Sequence, residues 1–308
     1  TERSVEKLSN EAGASLSINP KDLINLSLGE KEIYGTDVEK TTKYNVASLL
    51  NADQSLNTTV IADNKDKNTF KNGSVNFNIR HEFDSIGKLL TVDLDYVNYL
   101  SNIKQIYKND VFLPDNSNIY NDTQNGHLPS QITIYAFKAD YSNPFKREAK
   151  LDLGIKTSYT DTDNEAIYTI TQNGITTNNY NLSNHFKYSE MINAAYLNFS
   201  KSYKRLSFQS GLRFESTLLN ATQLGNPQKT GSSFTRNYNN LFPTAYLSYY
   251  LDSASNHNLN LSYGKRVSRP FYEDLNPFSS PLDKYTFYEG NPYLKPTFAH
   301  NFSFAYGF

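Results

Sequence analysis

Cysteine is absent from the 308 residues, so neither a disulfide scaffold nor a cysteine-ligated zinc site can be assembled from them. Tryptophan is also absent, and methionine occurs once. Neither sign of charge dominates: 30 basic residues stand against 31 acidic ones, a formal net charge of −1. Such a balance has no electrostatic footprint for nucleic acid, and no nucleic-acid partner is expected. No run of about 18 apolar residues occurs, so no transmembrane helix is encoded. That leaves the bilayer open, because a barrel strand crosses it with about 10 residues, every second one apolar. The histidines (His81, His127, His185, His257, His300) form no His-x-His or HExxH spacing. GxSxG, Walker A and GxGxxG motifs are missing too. No metal ligand, cofactor site or catalytic residue is assigned, and an enzyme is not expected.

What is present is an excess of Tyr (24) and Phe (19), residues that favour strands and membrane–water interfaces. Apolar residues recur with period two. Leu90, Val92, Leu94 and Tyr96 alternate with Thr91, Asp93 and Asp95; Leu151, Leu153 and Ile155 with Asp152, Gly154 and Lys156. Leu206, Phe208 and Leu212 alternate with Ser207, Gln209, Gly211 and Arg213; Leu259, Leu261 and Tyr263 with Asn260, Ser262 and Gly264. Residues i and i+2 share a face of a strand, so each segment has one apolar and one polar face.

The links alternate as well. Short ones fall at Pro20–Asp22, Asp84–Lys88, Ser142–Arg147, Lys201–Lys204 and Asp252–His257, and long ones at 31–70, 101–130, 161–186, 217–241 and 267–297. Up-and-down antiparallel strands collect all short links at one end and all long ones at the other, as in an outer-membrane barrel with tight periplasmic turns. The expected fold is all-β: an up-and-down antiparallel transmembrane β-barrel with about eleven strands, half of a 22-stranded barrel of the kind that holds a plug. Residues 1–308 are expected to form a single partial barrel domain, with the plug and C-terminal strands outside it. Asp161, Asp163, Asn164 and Glu165 are expected at a solvated loop tip.

Several stretches carry a resemblance. After Lys265-Arg266 comes Arg269-Pro270-Phe271-Tyr272-Glu273-Asp274-Leu275-Asn276-Pro277-Phe278, then Tyr288-Glu289-Gly290-Asn291-Pro292-Tyr293-Leu294-Lys295-Pro296. Leu241-Phe242-Pro243 precedes a strand, and Ile192-Asn193-Ala194-Ala195-Tyr196 is a further match. In these segments the chain resembles the TonB-dependent receptor barrels common in Bacteroidota. The resemblance implies import of a large solute (siderophore, oligosaccharide or peptide). It implies as partners the outer-membrane lipid, the protein's own plug domain, an inner-membrane TonB complex reached through that plug, and a surface lipoprotein.

The three prolines 270, 277 and 292 fix φ, and Asn-Pro steps favour turns, so the segment after Arg266 is expected to be stiff for a loop of its length. Two roles stay open for it. It braces the barrel rim, or it walls a ligand site in which Arg213, Arg266, Arg269, Tyr272, Asp274 and Tyr288 are the candidate lumen or ligand contacts. The aromatics Tyr168, Tyr180, Phe234, Tyr238 and Tyr285 are candidates for stacking on a ligand. Two rival functions also stay open: a passive porin or structural barrel, and a soluble secreted β-sandwich that binds glycans. The sandwich would bury the apolar strand faces between two sheets; the barrel would leave them exposed.

Overall fold

A computed structural model describes residues 8–19, 22–32, 40–252, 256–277, 279–281 and 287–308, with residues before 46, 272–273 and 279–281 given by backbone course. One antiparallel sheet dominates. Its main path joins β1 (Leu8–Asn19), β2 (Asp22–Glu32), β4 (Leu56–Glu82), β5 (Leu89–Phe112), β6 (Asn118–Phe145), β7 (Ala149–Gln172), β9 (Asn184–Tyr203), β10 (Leu206–Leu224), β11 (Ser232–Tyr250), β12 (Asn258–Ser268) and β15 (Thr297–Gly307). β3 (Lys40–Leu50) pairs with β4, and β8 (Ile175–Asn178) pairs with β7. Between β12 and β15 lie a four-residue helix, α1 (Tyr272–Leu275), and a small hairpin of β13 (Ser279–Pro281) and β14 (Phe287–Glu289). Eleven strands on the path agree with the count expected from alternation. β1 and β15 are the two edges of the described sheet.

Along the main path each strand pairs antiparallel with the next, so the chain runs up and down. At one end the links are 20–21, 83–88, 146–148, 204–205 and 251–257. At the other end four of the stretches expected to be loops are largely extended strand instead: β3 and β4 pair across a turn at 51–55, β5 and β6 run on to a turn at 113–117, β7 reaches residue 172, and β10 and β11 close at 225–231. The segment 161–165 therefore lies inside β7, not at a loop tip. Only 269–296 makes a long excursion with little strand.

The tight end shows why its turns form. Asp84 accepts the amide N–H of Ile86, Gly87 and Lys88 at 3.0, 3.1 and 3.1 Å. Gly87 takes φ +103°, a conformation that costs a residue with a Cβ far more.

The two faces differ as the alternation demands. Leu94, Leu153, Leu206, Phe208 and Leu261 are exposed, and Leu90, Val92, Leu151 and Leu259 are half-buried. None of these nine is covered by a second sheet, which rules out the sandwich. The polar face carries Asp93, Asp95, Lys138, Asp140, Arg213 and Glu215, bonded both along and between strands. Asn78 donates to Asp93, Asn76 donates to Asp95 at 2.5 Å, and Lys138 pairs with Asp140. Among the described residues, the buried clusters lie on this side: Phe186, Tyr188, Leu219 and Ala221 surround Leu275, and Tyr107, Ala166 and Tyr168 form a second.

Candidate functional site

The segment 269–296 folds back onto the polar face of β9, β10 and β11. Arg269 anchors its start. The guanidinium Nη2 lies 2.6 Å from Glu215 Oε2 and 3.4 Å from Thr217 Oγ1. Tyr238 also hydrogen-bonds Arg269. Arg213 reaches the other carboxylate oxygen, Nε to Oε1 at 2.5 Å, so two arginines share Glu215. Glu215 keeps only 10% of its side chain exposed and Arg269 24%. A charge held that dry is tolerable only when paired on several sides. Arg269 Nε has no hydrogen-bond partner among the described residues.

The network continues along the sheet. The Arg213 guanidinium lies 5.2 Å from the centre of the Tyr196 ring, a cation–π contact, and the Tyr196 hydroxyl donates to Asp140. Lys138, Asp140, Tyr196, Arg213, Glu215 and Arg269 thus form one chain of contacts across β6, β9, β10 and the loop.

Leu275 is the loop's apolar anchor, 1% exposed among Phe186, Tyr188, Leu219 and Ala221. Burying such a side chain contributes roughly 1.5–3 kcal/mol. The loop then closes on itself. Asp274 accepts the Tyr288 hydroxyl at 2.9 Å, Asn291 N donates to Asp274 O at 2.6 Å, and Gly290 N donates to Asn276 O at 3.0 Å. Arg236 of β11 clamps the far side by donating to the carbonyls of Pro292 and Leu294.

Six residues were candidates for one site, and the structure brings them together in part. Arg213 and Arg269 meet on Glu215. Asp274 and Tyr288 meet within the loop. Arg266 is exposed and lines one groove of the polar face with Arg213 and Glu215. Tyr272 has its backbone in α1, and its side chain lies outside the described residues, as does Tyr285. Tyr168 is corrected from an exposed stacking aromatic to a core residue. It is 1% exposed, its hydroxyl donates to Gln105 at 2.6 Å, and it packs with Tyr107 and Ala166. Gly126 makes room for it: a Cβ there would stand 2.7 Å from the Tyr168 ring.

Between the loop and the polar faces of β4–β7 lies a cavity of about 500 Å³, bordered by Phe70, Tyr99, Ser101, Asn164, Asn276 and Tyr288. Aromatic faces and amides alternate there. The sequence has no local sign of this cavity, because its walls come from β4, β5, β6, β7, β9 and the loop. The same holds for His185 Nε2, 2.6 Å from Asp163 Oδ1 across two strands. No cluster of three metal-ligating side chains occurs among the described residues.

An up-and-down sheet with one uncovered apolar face and one charged, cross-linked face is the wall of a transmembrane β-barrel. The chain belongs to the outer membrane protein beta-barrel family, whose family model matches residues 81–308. Its place is the bacterial outer membrane, with the polar face turned to the lumen. A comparison with curated proteins returns no match. Among solved structures, similarity is found to the ferric yersiniabactin uptake receptor FyuA from Yersinia pestis, with 11% identity, 97% of this chain and 50% of that chain covered, and a TM-score of 0.43. It extends to the siderophore receptor PiuA from Acinetobacter baumannii (9% identity, 86% and 48% covered, TM-score 0.41) and to the ferric citrate transporter FecA (10%, 85% and 44%, 0.36). The chain spans half or less of the length of these receptors.

Proposed function

We propose that this chain is barrel wall from an energy-dependent outer-membrane receptor that imports a large solute: a siderophore, an oligosaccharide or a peptide. The observation that carries this reading is the inward fold of 269–296, with Leu275 buried against the lumenal wall and Arg269 held on Glu215. A loop so anchored narrows the lumen and walls the 500 Å³ cavity, which suits capture of a solute better than free diffusion. Arg213, Arg266, Arg269, Tyr272, Asp274 and Tyr288 are the proposed lumen or ligand contacts. Of these, Tyr288 borders the cavity directly. The protein makes and breaks no covalent bonds in this role.

Residues 1–308 are then one partial barrel domain. An open sheet with edges at β1 and β15 leaves backbone groups unpaired, which is costly in lipid. Further strands of the same barrel complete it, in the proposal to 22 in all, and a plug fills the lumen. The plug would couple to an inner-membrane TonB complex, and a surface lipoprotein would deliver solute to the long-loop end.

The test uses the full-length protein in a planar bilayer and in cells. The receptor reading expects little steady conductance and solute uptake that stops when the proton-motive force is collapsed. Large ohmic conductance with uptake indifferent to the proton-motive force would establish a passive pore instead.

A further inference from the structure

The cavity under the loop has a chemistry that narrows the class of solute it can hold. Phe70 and Tyr99 stand beside each other on β4 and β5, with ring centres 5.9 Å apart and planes tilted by 32°, and Tyr288 adds a third ring from the loop. Amides and hydroxyls share the wall with them. Ser101 Oγ donates to Asn68 Oδ1 at 3.1 Å, the Ser130 hydroxyl donates to Asn164 Oδ1, and Asn184 Nδ2 donates to Asn276 Oδ1 at 3.4 Å. The last bond ties β9 to the loop. The other end of the same amide is unsatisfied: Asn184 Oδ1 is buried with no hydrogen-bond partner among the described residues. A buried acceptor without a donor is destabilising, and a ligand O–H would relieve it.

Cations are missing from this cavity. Among the described residues no Lys, Arg or His borders it, and its one charged residue, Glu165, stands at an outward position of β7 as the register partner of His185. An anion placed here would lose its water with no cation to pair it. That disfavours anionic ferric complexes and acidic glycans. A peptide fares little better. The wall strands β4, β5, β6, β7 and β9 are paired on both sides, so they offer no open backbone edge for strand addition, and no cation meets a terminal carboxylate. A neutral polyol answers each feature. Its hydroxyls both donate and accept, so one of them can donate to Asn184 Oδ1 while accepting from another group. The C–H face of a sugar ring is apolar and lies flat on an aromatic ring. A volume of about 500 Å³ falls within the range of small-molecule sites and admits a short run of sugar rings.

We propose that the cavity between the loop and β4–β9 is a subsite for an uncharged oligosaccharide, stacked on Phe70, Tyr99 and Tyr288 and donating a hydroxyl to Asn184. Import of that sugar rests on the receptor reading above; its binding does not.

The test lays labelled full-length protein, in detergent, on an array of neutral and acidic oligosaccharides, and titrates it with ferric enterobactin and with tetraalanine by calorimetry. Neutral glycans bind, and acidic glycans with the same backbone bind about ten-fold more weakly or less. Calorimetry with the best neutral glycan then reads the variants. N184A and Y99L each weaken it about ten-fold, the scale of one hydrogen bond to a buried acceptor or one stacking face. Y99F keeps the affinity. N184D keeps an acceptor while giving up the bond to Asn276, so it loses less than N184A. Y288L, on the exposed loop, carries the stacking test should Y99L not fold. Binding of acidic glycans, ferric enterobactin or tetraalanine alone overturns the proposal, as does an array on which no neutral glycan binds. An affinity that N184A, Y99L and Y288L leave unchanged also overturns it. Uptake in cells separates the two readings. A neutral glycan that binds as described yet enters regardless of the proton-motive force supports the subsite and removes the energy-dependent receptor. Uptake of a ferric complex that stops without the proton-motive force, with no neutral glycan bound, does the reverse.

Discussion

Tyr196 lays its ring over Gly154, its direct register partner on the neighbouring strand, and reaches past it to Asp140 on the strand beyond. A side chain at 154 would occupy the space of the ring, so the glycine is what lets one tyrosine span three strands of the lumenal wall. G154V is expected to destabilise the barrel by about 1–3 kcal/mol through overpacking. Y196F, which keeps the ring and loses the bond to Asp140, should cost only about 1 kcal/mol. Urea unfolding of the full-length protein in detergent, followed by the heat-dependent shift of the barrel on gels, separates the two. Equal losses would contradict the steric account.

The Arg269–Glu215 pair is expected to hold the loop start. R269A leaves Glu215 with Arg213 alone and should cost about 2–4 kcal/mol, since breaking one partner of a largely buried pair is expensive. R269K keeps a charge but loses the fork and should fall between. The readout is the rate at which an added protease cleaves within 269–296. An unchanged cleavage rate in R269A would show that the ion pair does not anchor the loop.

Leu275 is expected to matter as much as any charge. L275A opens a cavity among Phe186, Tyr188, Leu219 and Ala221 and should cost about 2–5 kcal/mol, felt by the loop more than by the sheet. Hydrogen exchange should quicken at Asp274, Gly290 and Asn291, whose amides bond within the loop, while the amides of β9 and β10 keep their protection. Uniform loosening of both would contradict a separately docked loop.

At the tight end, the Lys88 amide, followed by the Ile86 and Gly87 amides and the Lys88 ammonium, holds the Asp84 carboxyl below its usual pKa, against the opposing effect of burial. A depressed carboxylate stabilises the fold at pH above the ordinary carboxylate range and loses that contribution as pH falls through the lowered value. Amide exchange at residues 86–88, corrected for intrinsic rate, should therefore rise on acidification, and D84N should remove the dependence. A pH-independent rate in the native protein would argue that the turn is held by Gly87 alone.

What the sequence makes legible is what depends on near neighbours. Leu206, Phe208, Leu212 and Phe214 on one face, with Gln209, Arg213 and Glu215 on the other, are set by a period of two that any five residues display. The strand extensions were hidden for a physical reason. Beyond the bilayer the outward face of β5, β6 and β7 is no longer apolar, so a Thr-, Asp- and Asn-rich segment such as 160–165 looks like a loop, although Tyr107, Ala166 and Tyr168 are buried on the inward face of the same extensions. The contacts that build the site were hidden differently. Arg269 finds Glu215 across 54 residues and His185 finds Asp163 across 22, distances set by register and loop folding. The R-P-x-Y-x-D-L-N-P motif marked the right segment but gave no hint that Leu275, rather than a charged residue, would be its deepest anchor.

The central claim is that one strand face meets lipid and the other the lumen. The absence of cysteine in these residues makes it directly measurable. Single cysteines placed in turn at positions 150–153, 155 and 156 of the full-length protein, spin-labelled and reconstituted in lipid vesicles, are read for collision with oxygen, which dissolves in the bilayer, and with a water-soluble nickel chelate. The account predicts strict alternation: 151, 153 and 155 favour oxygen, and 150, 152 and 156 favour the chelate. Six labels that respond alike, or that are shielded from both reagents, would contradict it.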